Sequence, residues 1–190
     1  MRKLIVCLLM LCSTATFAQD AQIIKKDFQT IIGYARHLEI DKILDMTYPP
    51  LFTIMPKAQM SAMSKGMLQS MGIKMIYEEV PIDLTLSPVK KLSAATICMG
   101  KYNQSMILES TQPKLLDMIV KAKMKDNIIE KLSPTKVRIK GKGYLLAIKD
   151  AKTANTWKYL RYDDEQADMN TKILSKEIQA GVEQLKAGLK

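Results

Sequence analysis

Val137-Arg138-Ile139-Lys140-Gly141-Lys142-Gly143-Tyr144-Leu145-Leu146-Ala147-Ile148-Lys149, followed after a polar loop over residues 150–155 by Thr156-Trp157-Lys158-Tyr159-Leu160-Arg161-Tyr162, is the stretch on which the fold turns. Both arms are rich in β-branched, aromatic and aliphatic residues, and the loop between them is polar, which is the pattern of two paired strands. Gly141 and Gly143 interrupt the first arm, and glycine inside a strand marks a bend. The chain therefore carries a bent hairpin late in its sequence.

Upstream, residues 92–98 and 102–108 read as strand, together one long strand kinked at Gly100, where the missing side chain permits a bulge. Residues 73–77 and 80–86 alternate as an edge strand that tolerates Pro81, and Ser87-Pro88 marks a turn. Helices precede these strands. Residues 20–37 repeat Ile23, Ile24, Phe28, Ile31, Ile32 and Ala35 at spacings of three and four. A short helix over 41–46 is stopped by Tyr48-Pro49-Pro50, because proline donates no amide hydrogen and restricts the residue before it. After an apolar connector over 51–55, residues 56–70 resume helical spacing and Gly72 ends it.

Residues 114–132 have helical spacing through Leu115, Met118, Ile119, Ala122 and Ile129, although 120–124 read equally as strand. Residues 166–190 close the chain as a helix whose apolar row is Leu174, Ile178, Val182, Leu185 and Leu189. That row is too short for a coiled coil, so docking on its own domain is expected and self-association is the alternative. No repeat or linker divides the order of helices then strands. The expected architecture is α+β: N-terminal helices on a strongly curved, mainly antiparallel sheet, plus a C-terminal helix.

The first residues carry a different message. Arg2 and Lys3 precede an apolar run over 4–11 and a polar stretch ending in Phe17-Ala18, the three parts of a cleavable secretory signal. The expected division is a signal peptide over 1–18, a cone-like domain over 19–163 and a C-terminal helix over 164–190. The apolar run is shorter than the roughly 20 residues that span a bilayer, so no transmembrane span is expected. Cys7 and Cys12 lie inside the signal and neither sits at a lipoprotein cleavage point. Cys98 is then alone, and an exported chain must hold together without an internal disulfide.

The formal charge of +10 falls to +8 once Arg2 and Lys3 leave, with 27 basic against 19 acidic residues. Lysines are spread along the chain with acids among them and without interleaved aromatics, which argues against nucleic-acid binding. Nucleophile-elbow, phosphate-loop and paired-cysteine or His-Glu-x-x-His zinc signatures are absent.

The helices, the Tyr48-Pro49-Pro50-Leu51-Phe52 stop and the hairpin from Tyr144 to Leu160 with its Trp157 resemble exported bacterial members of the nuclear transport factor two-like superfamily over roughly residues 20–163. That resemblance implies helices closing a strongly bent sheet into a cone around an apolar pocket, which serves catalysis in some relatives and not in others. The segment over 113–132 and the C-terminal helix exceed the compact cone.

Met60, Met63, Met67 and Met71 fall on one helical stripe, the least ordinary feature of the sequence. Thioethers suit copper(I), but no His or Cys accompanies them, so packing or pocket lining is the expected role and no metal or cofactor is expected. Trp157 and Tyr159 share a strand face and are candidate pocket residues with those methionines. His37, the single histidine, has no partner in sequence, and Asp41, Asp45 and Asp83 are the acids that a lyase or isomerase of this fold would draw on. The expectation is a non-enzymatic periplasmic or secreted protein that binds a small apolar ligand or a protein partner in a Met-lined cavity, with no catalytic residue assigned. An isomerase or lyase, and an envelope protein that forms homo-oligomers through its C-terminal helix, are the alternatives.

Overall fold

The computed structural model describes residues 2–70, 72–121 and 127–189, apart from the side chains of 2–18 and 67–69. Among these residues there are six helices and one seven-stranded antiparallel sheet that does not close, an α+β fold. Helices α1 (Arg2–Arg36), α2 (Ile40–Met46) and α3 (Lys57–Ser70) come first. Strands β1 (Ile73–Tyr77), β2 (Thr85–Leu86), β3 (Lys90–Lys91) and β4 (Ala95–Ser110) follow, then α4 (Pro113–Lys121). Strands β5 (Asn127–Ser133), β6 (Lys136–Asp150) and β7 (Lys158–Tyr162) complete the sheet, and α5 (Ala167–Ile173) and α6 (Lys176–Ala187) end the chain.

β4 and β6 are the spine of the sheet, paired without a slip from Ala95↔Asp150 to Glu109↔Lys136. The outer edge of β4 is shared by β3, β2 and β1 in turn, and that of β6 by β7 and β5. All three anticipated glycines, Gly100, Gly141 and Gly143, lie in this spine, and two of them are required by close approach. A Cβ on Gly100 would stand 2.5 Å from the ring of Phe28, and one on Gly143 would stand 2.4 Å from the ring of its cross-strand partner Tyr102.

Alternation along the spine produces two buried faces. Cys98, Leu145 and Ala147 meet Ile24, Phe28, Ile31 and Ile32 of α1. On the opposite face Ile97, Met99, Leu146 and Ile148 meet Ile173 and Leu174 with Ile178, Val182 and Leu185 of α6. A strand covered on both faces needs no polar alternation, which is why Tyr144 to Ile148 read as a nearly continuous apolar run. The far end of the sheet is closed by Leu116 of α4 over Met106, Leu108, Val137 and Ile139.

The Tyr48-Pro49-Pro50 stop ties helices to sheet. Thr47 bridges β7 in parallel at Tyr159, and the Tyr48 amide donates to the Tyr159 carbonyl at 2.8 Å, covering an edge that would otherwise be open. The Tyr48 side chain is 1 % exposed and its hydroxyl donates to Asp150 Oδ2 at 2.7 Å. Asp150 Oδ1 in turn accepts from the Thr153 amide at 3.0 Å, so one carboxylate organises the hairpin loop and anchors the N-terminal half.

Four expectations are corrected. Residues 114–132 are not one helix: α4 stops at Lys121 and β5 pairs with β6 over Asn127–Ser133, with residues 122–126 outside the described ones. The main-chain bonds to β6 outweigh the helical period, and Ile128, 64 % exposed, shows the alternation of a strand. Of residues 80–86 only Thr85–Leu86 is strand, since Pro81 has no amide hydrogen to give and Asp83 has φ 40°. The strand expected from residue 92 begins at Ala95 and runs to Ser110 with no register shift at Gly100, and Leu92 is turned back so that its amide bonds the Ala95 carbonyl at 2.7 Å. The helix expected over 166–190 is instead two, Ala167–Ile173 and Lys176–Ala187, because Leu174 is extended and Ser175 caps α6 by accepting from the Ile178 amide. The predicted apolar row is nevertheless buried throughout, against β4 and β6 of its own sheet. Among the described residues no helix is long and apolar enough to cross a membrane.

Candidate functional site

α1 reaches the sheet through Phe28, whose ring lies over Gly100 and meets the Tyr159 ring edge-on at 5.3 Å. Beyond that contact the helix parts from the sheet. The chain turns at Leu38, at φ 54°, and α2 returns across the gap. A cavity of about 320 Å³ is left between α1, α2 and the sheet. Its helical wall is Ile31, Ile32, Ala35, Ile43 and Leu44, with Leu51 of the proline turn. Its sheet wall is Tyr77, Tyr102, Leu145 and Tyr159, with Leu160 and Met169 at the margin.

The polar groups at this cavity come from three strands and the end of α1. Arg161 stands opposite Leu145 on β7 and, by strand alternation, on the same face as Tyr159. Its side chain is exposed, and its guanidinium makes no hydrogen bond or ion pair with a described residue. Tyr77 and Tyr102 lie close enough to feel its charge: burial pushes both phenols up, and Arg161 draws them the other way. Their hydroxyls have no hydrogen-bond partner among the described residues, yet neither is sealed from solvent. Arg36 Nη2 donates to the Val80 carbonyl, fastening the end of α1 to the β1–β2 connection.

Two carboxylates line the cavity, Glu78 and Asp163. Glu78 accepts from Ser105 Oγ and receives Arg138 in a two-point pair, Nε and Nη2 each at 2.9 Å, and Arg138 also meets Glu130 at 3.2 Å. The Ser105 hydroxyl and the guanidinium hold Glu78 below the usual carboxylate range. Asp163 Oδ1 accepts from the Glu165 amide at 3.0 Å. A second cavity, of about 360 Å³, adjoins the first and shares Tyr77, Gln104, Arg161 and Asp163 with it. Its other walls include Met75, Met106, Ile139 and Tyr144, and it bears Lys142 and an ion pair of Lys186 with Asp164.

Of the candidate pocket residues, Tyr159 lines the first cavity and its hydroxyl donates to Asp27. Trp157 does not line it: its Nε1 donates to Asp20 Oδ1 at 2.9 Å and Lys149 Nζ stands 4.7 Å from its ring centre, so it secures α1 to the hairpin. Met60 is partly exposed on α3 and Met63 is 48 % exposed, and neither lines either cavity. Met71 and the side chain of Met67 are outside the described residues. The wall of the first cavity is therefore aliphatic and aromatic, with Met169 its one described methionine.

Asp41, Asp45 and Asp83 are engaged elsewhere. Asp41 accepts from Lys65 Nζ and Ser61 Oγ, each at 2.6 Å, and is held below the ordinary carboxylate range by them; Asp45 pairs with Lys57; Asp83 accepts from Asn103 Nδ2 at 3.2 Å. His37 is exposed and away from both cavities. Cys98 is fully buried and bonded to Ser87, and burial pushes its thiol up to about 11. Among the described residues no group of three or more His, Cys, Asp or Glu is placed to hold a metal ion.

Arg161, Tyr77 and Tyr102 were not among the residues that spacing singled out. The signal was a charged residue on the inward phase of β7, two positions from Tyr159. No protein-family model, no curated protein and no solved structure matches the chain.

Proposed function

We propose that the protein is an exported, non-catalytic binder of one small apolar ligand, built on a nuclear transport factor two-like cone. The observation that carries this reading is the cavity of about 320 Å³ between α1, α2 and the sheet, whose size and aliphatic-aromatic wall match those of small-molecule sites. Against catalysis by a carboxylate base stands the state of Glu78, which is occupied by Arg138 and Ser105 and held in its ionised form, a weak proton acceptor. The secretory signal over 1–18 supports the exported setting.

The test uses the neutral dye N-phenyl-1-naphthylamine. Saturable one-to-one fluorescence enhancement is expected, with a loss of about tenfold or more in Ala35→Trp and Leu51→Trp, two plugs on different sides of the same space. Absence of saturable binding, or dye binding that both plugs leave intact in a cooperatively folding protein, refutes the reading. The intact mass of protein recovered from the periplasm tests the export half: it should correspond to a chain that begins at Gln19.

A further inference from the structure

On the reading that this cavity holds a small apolar ligand, we propose that the ligand is an amphipathic carboxylate, its acid group bound by the Arg161 guanidinium and the hydroxyls of Tyr77 and Tyr102, its hydrocarbon part lying among Ile31, Ile32 and Leu145. The three polar groups come from β7, β1 and β4 and face the same cavity. A guanidinium offers a planar fork that fits a carboxylate at two points, and a phenol adds a single neutral donor.

Two cations, Arg36 and Arg161, and two carboxylates, Glu78 and Asp163, line the cavity, and their partners distinguish them. Arg138 is committed to Glu78 and Glu130, and Arg36 donates to the Val80 carbonyl. Glu78 is correspondingly neutralised, and Asp163 accepts from the Glu165 amide. The Arg161 guanidinium is the cation at this wall that has neither a hydrogen bond nor an ion pair with a described residue. Arg161 is itself exposed, so its guanidinium is hydrated in the empty protein, and a carboxylate reaching this end of the cavity meets a forked donor that no described side chain occupies. The Tyr77 and Tyr102 hydroxyls point the same way, being open to a partner and supplied with none by the described residues.

Position decides that the anion has an apolar body. Arg161, Tyr77 and Gln104 line both cavities, whereas Ile31, Ile32 and Leu44 line only the first. Two of the donors, Arg161 and Tyr77, therefore stand at the boundary, and Tyr102 lies on the side of the aliphatic wall. A space of about 320 Å³ is at the small end of ligand sites, which suits one short hydrocarbon chain and not a two-chain lipid.

The experiment displaces N-phenyl-1-naphthylamine with decanoate and with decanol, a pair matched in chain length and differing in the head group. Decanoate should bind the wild-type protein about tenfold or more tightly than decanol at pH 7.5, the weight of charge-assisted hydrogen bonds. Arg161→Gln should bring decanoate down to the affinity of decanol, and Tyr77→Phe with Tyr102→Phe should remove about threefold of the preference while Arg161 remains. Equal affinities in the wild type, or a decanoate preference that survives Arg161→Gln, overturns the assignment while the dye result keeps the cavity reading. Failure of the dye itself to bind overturns both. Thermal unfolding of each variant separates loss of the donor from loss of the fold.

Discussion

Replacing Gly143 by alanine places a methyl group where the Tyr102 ring already lies. The new Cβ would stand 2.4 Å from Tyr102 Cζ and 2.6 Å from its Cε1 and Oη. Carbon atoms pack at about 3.5–4.0 Å, so the overlap is about 1 Å and must be relieved by moving the ring or parting β4 from β6. Overpacking of this kind costs about 1–3 kcal/mol. At about 2 kcal/mol, and 2–4 °C per kcal/mol for a chain of this size, the melting temperature should fall by about 4–8 °C. Strand propensity argues the opposite sign, because alanine in a strand interior is favoured over glycine by about 0.5–1 kcal/mol. The decisive comparison is therefore Gly143→Ala introduced into Tyr102→Ala, where the ring is gone and the substitution should be neutral or stabilising. Calorimetric or circular-dichroism melts of the four proteins close a double-mutant cycle. A Gly143→Ala melt equal to wild type, or the same penalty in both backgrounds, would refute the account of a glycine kept for the tyrosine above it.

Other outcomes follow from single contacts. Tyr48→Phe leaves the buried Asp150 carboxylate without its phenolic donor and should cost about 1.5–3 kcal/mol, seen as a lower urea midpoint at unchanged slope. Leu38→Gly should stabilise by about 0.5–1 kcal/mol, because Leu38 is half-exposed at φ 54° and glycine meets no steric penalty there; a lower midpoint would contradict it. Cys98, with its thiol pushed up to about 11, should react with iodoacetamide at pH 8 about a hundredfold more slowly than an unfolded cysteine, and urea should abolish the difference. A thiol kept protonated in the fold stabilises it most fully below the ordinary cysteine value and progressively less as the pH climbs towards about 11, so Cys98→Ala should flatten that alkaline decline.

The hairpin, the long strand through Gly100 and the amphipathic face of α1 were readable because each is written in a local period, two for a strand and 3.6 for a helix. The proline stop was legible for the same kind of reason, since proline acts on its immediate neighbours. The segment over 114–132 was not, because its apolar spacing suits a helix and only pairing with β6 makes Asn127–Ser133 a strand. The C-terminal row was recognised as a stripe, but the break at Leu174 and Ser175 follows from fitting two helices to one sheet face.

The candidate site shows the same division more sharply. Tyr159 was found from its strand phase, whereas Arg161, Tyr77 and Tyr102 are separated in the chain and become neighbours only when β7, β6, β4 and β1 align. The methionine stripe, conspicuous as sequence, leaves Met60 and Met63 away from both cavities, because α3 packs beside α2 and β1 and not over the concave face. Sequence alone determined the α+β composition and the inward faces of the hairpin and, Ile23 excepted, of α1, all set by interactions within a few residues. Tertiary structure alone decided which inward faces meet, where they fail to meet and so leave a cavity, and which cation there has no side-chain partner among the described residues, because those depend on contacts between residues distant in the chain.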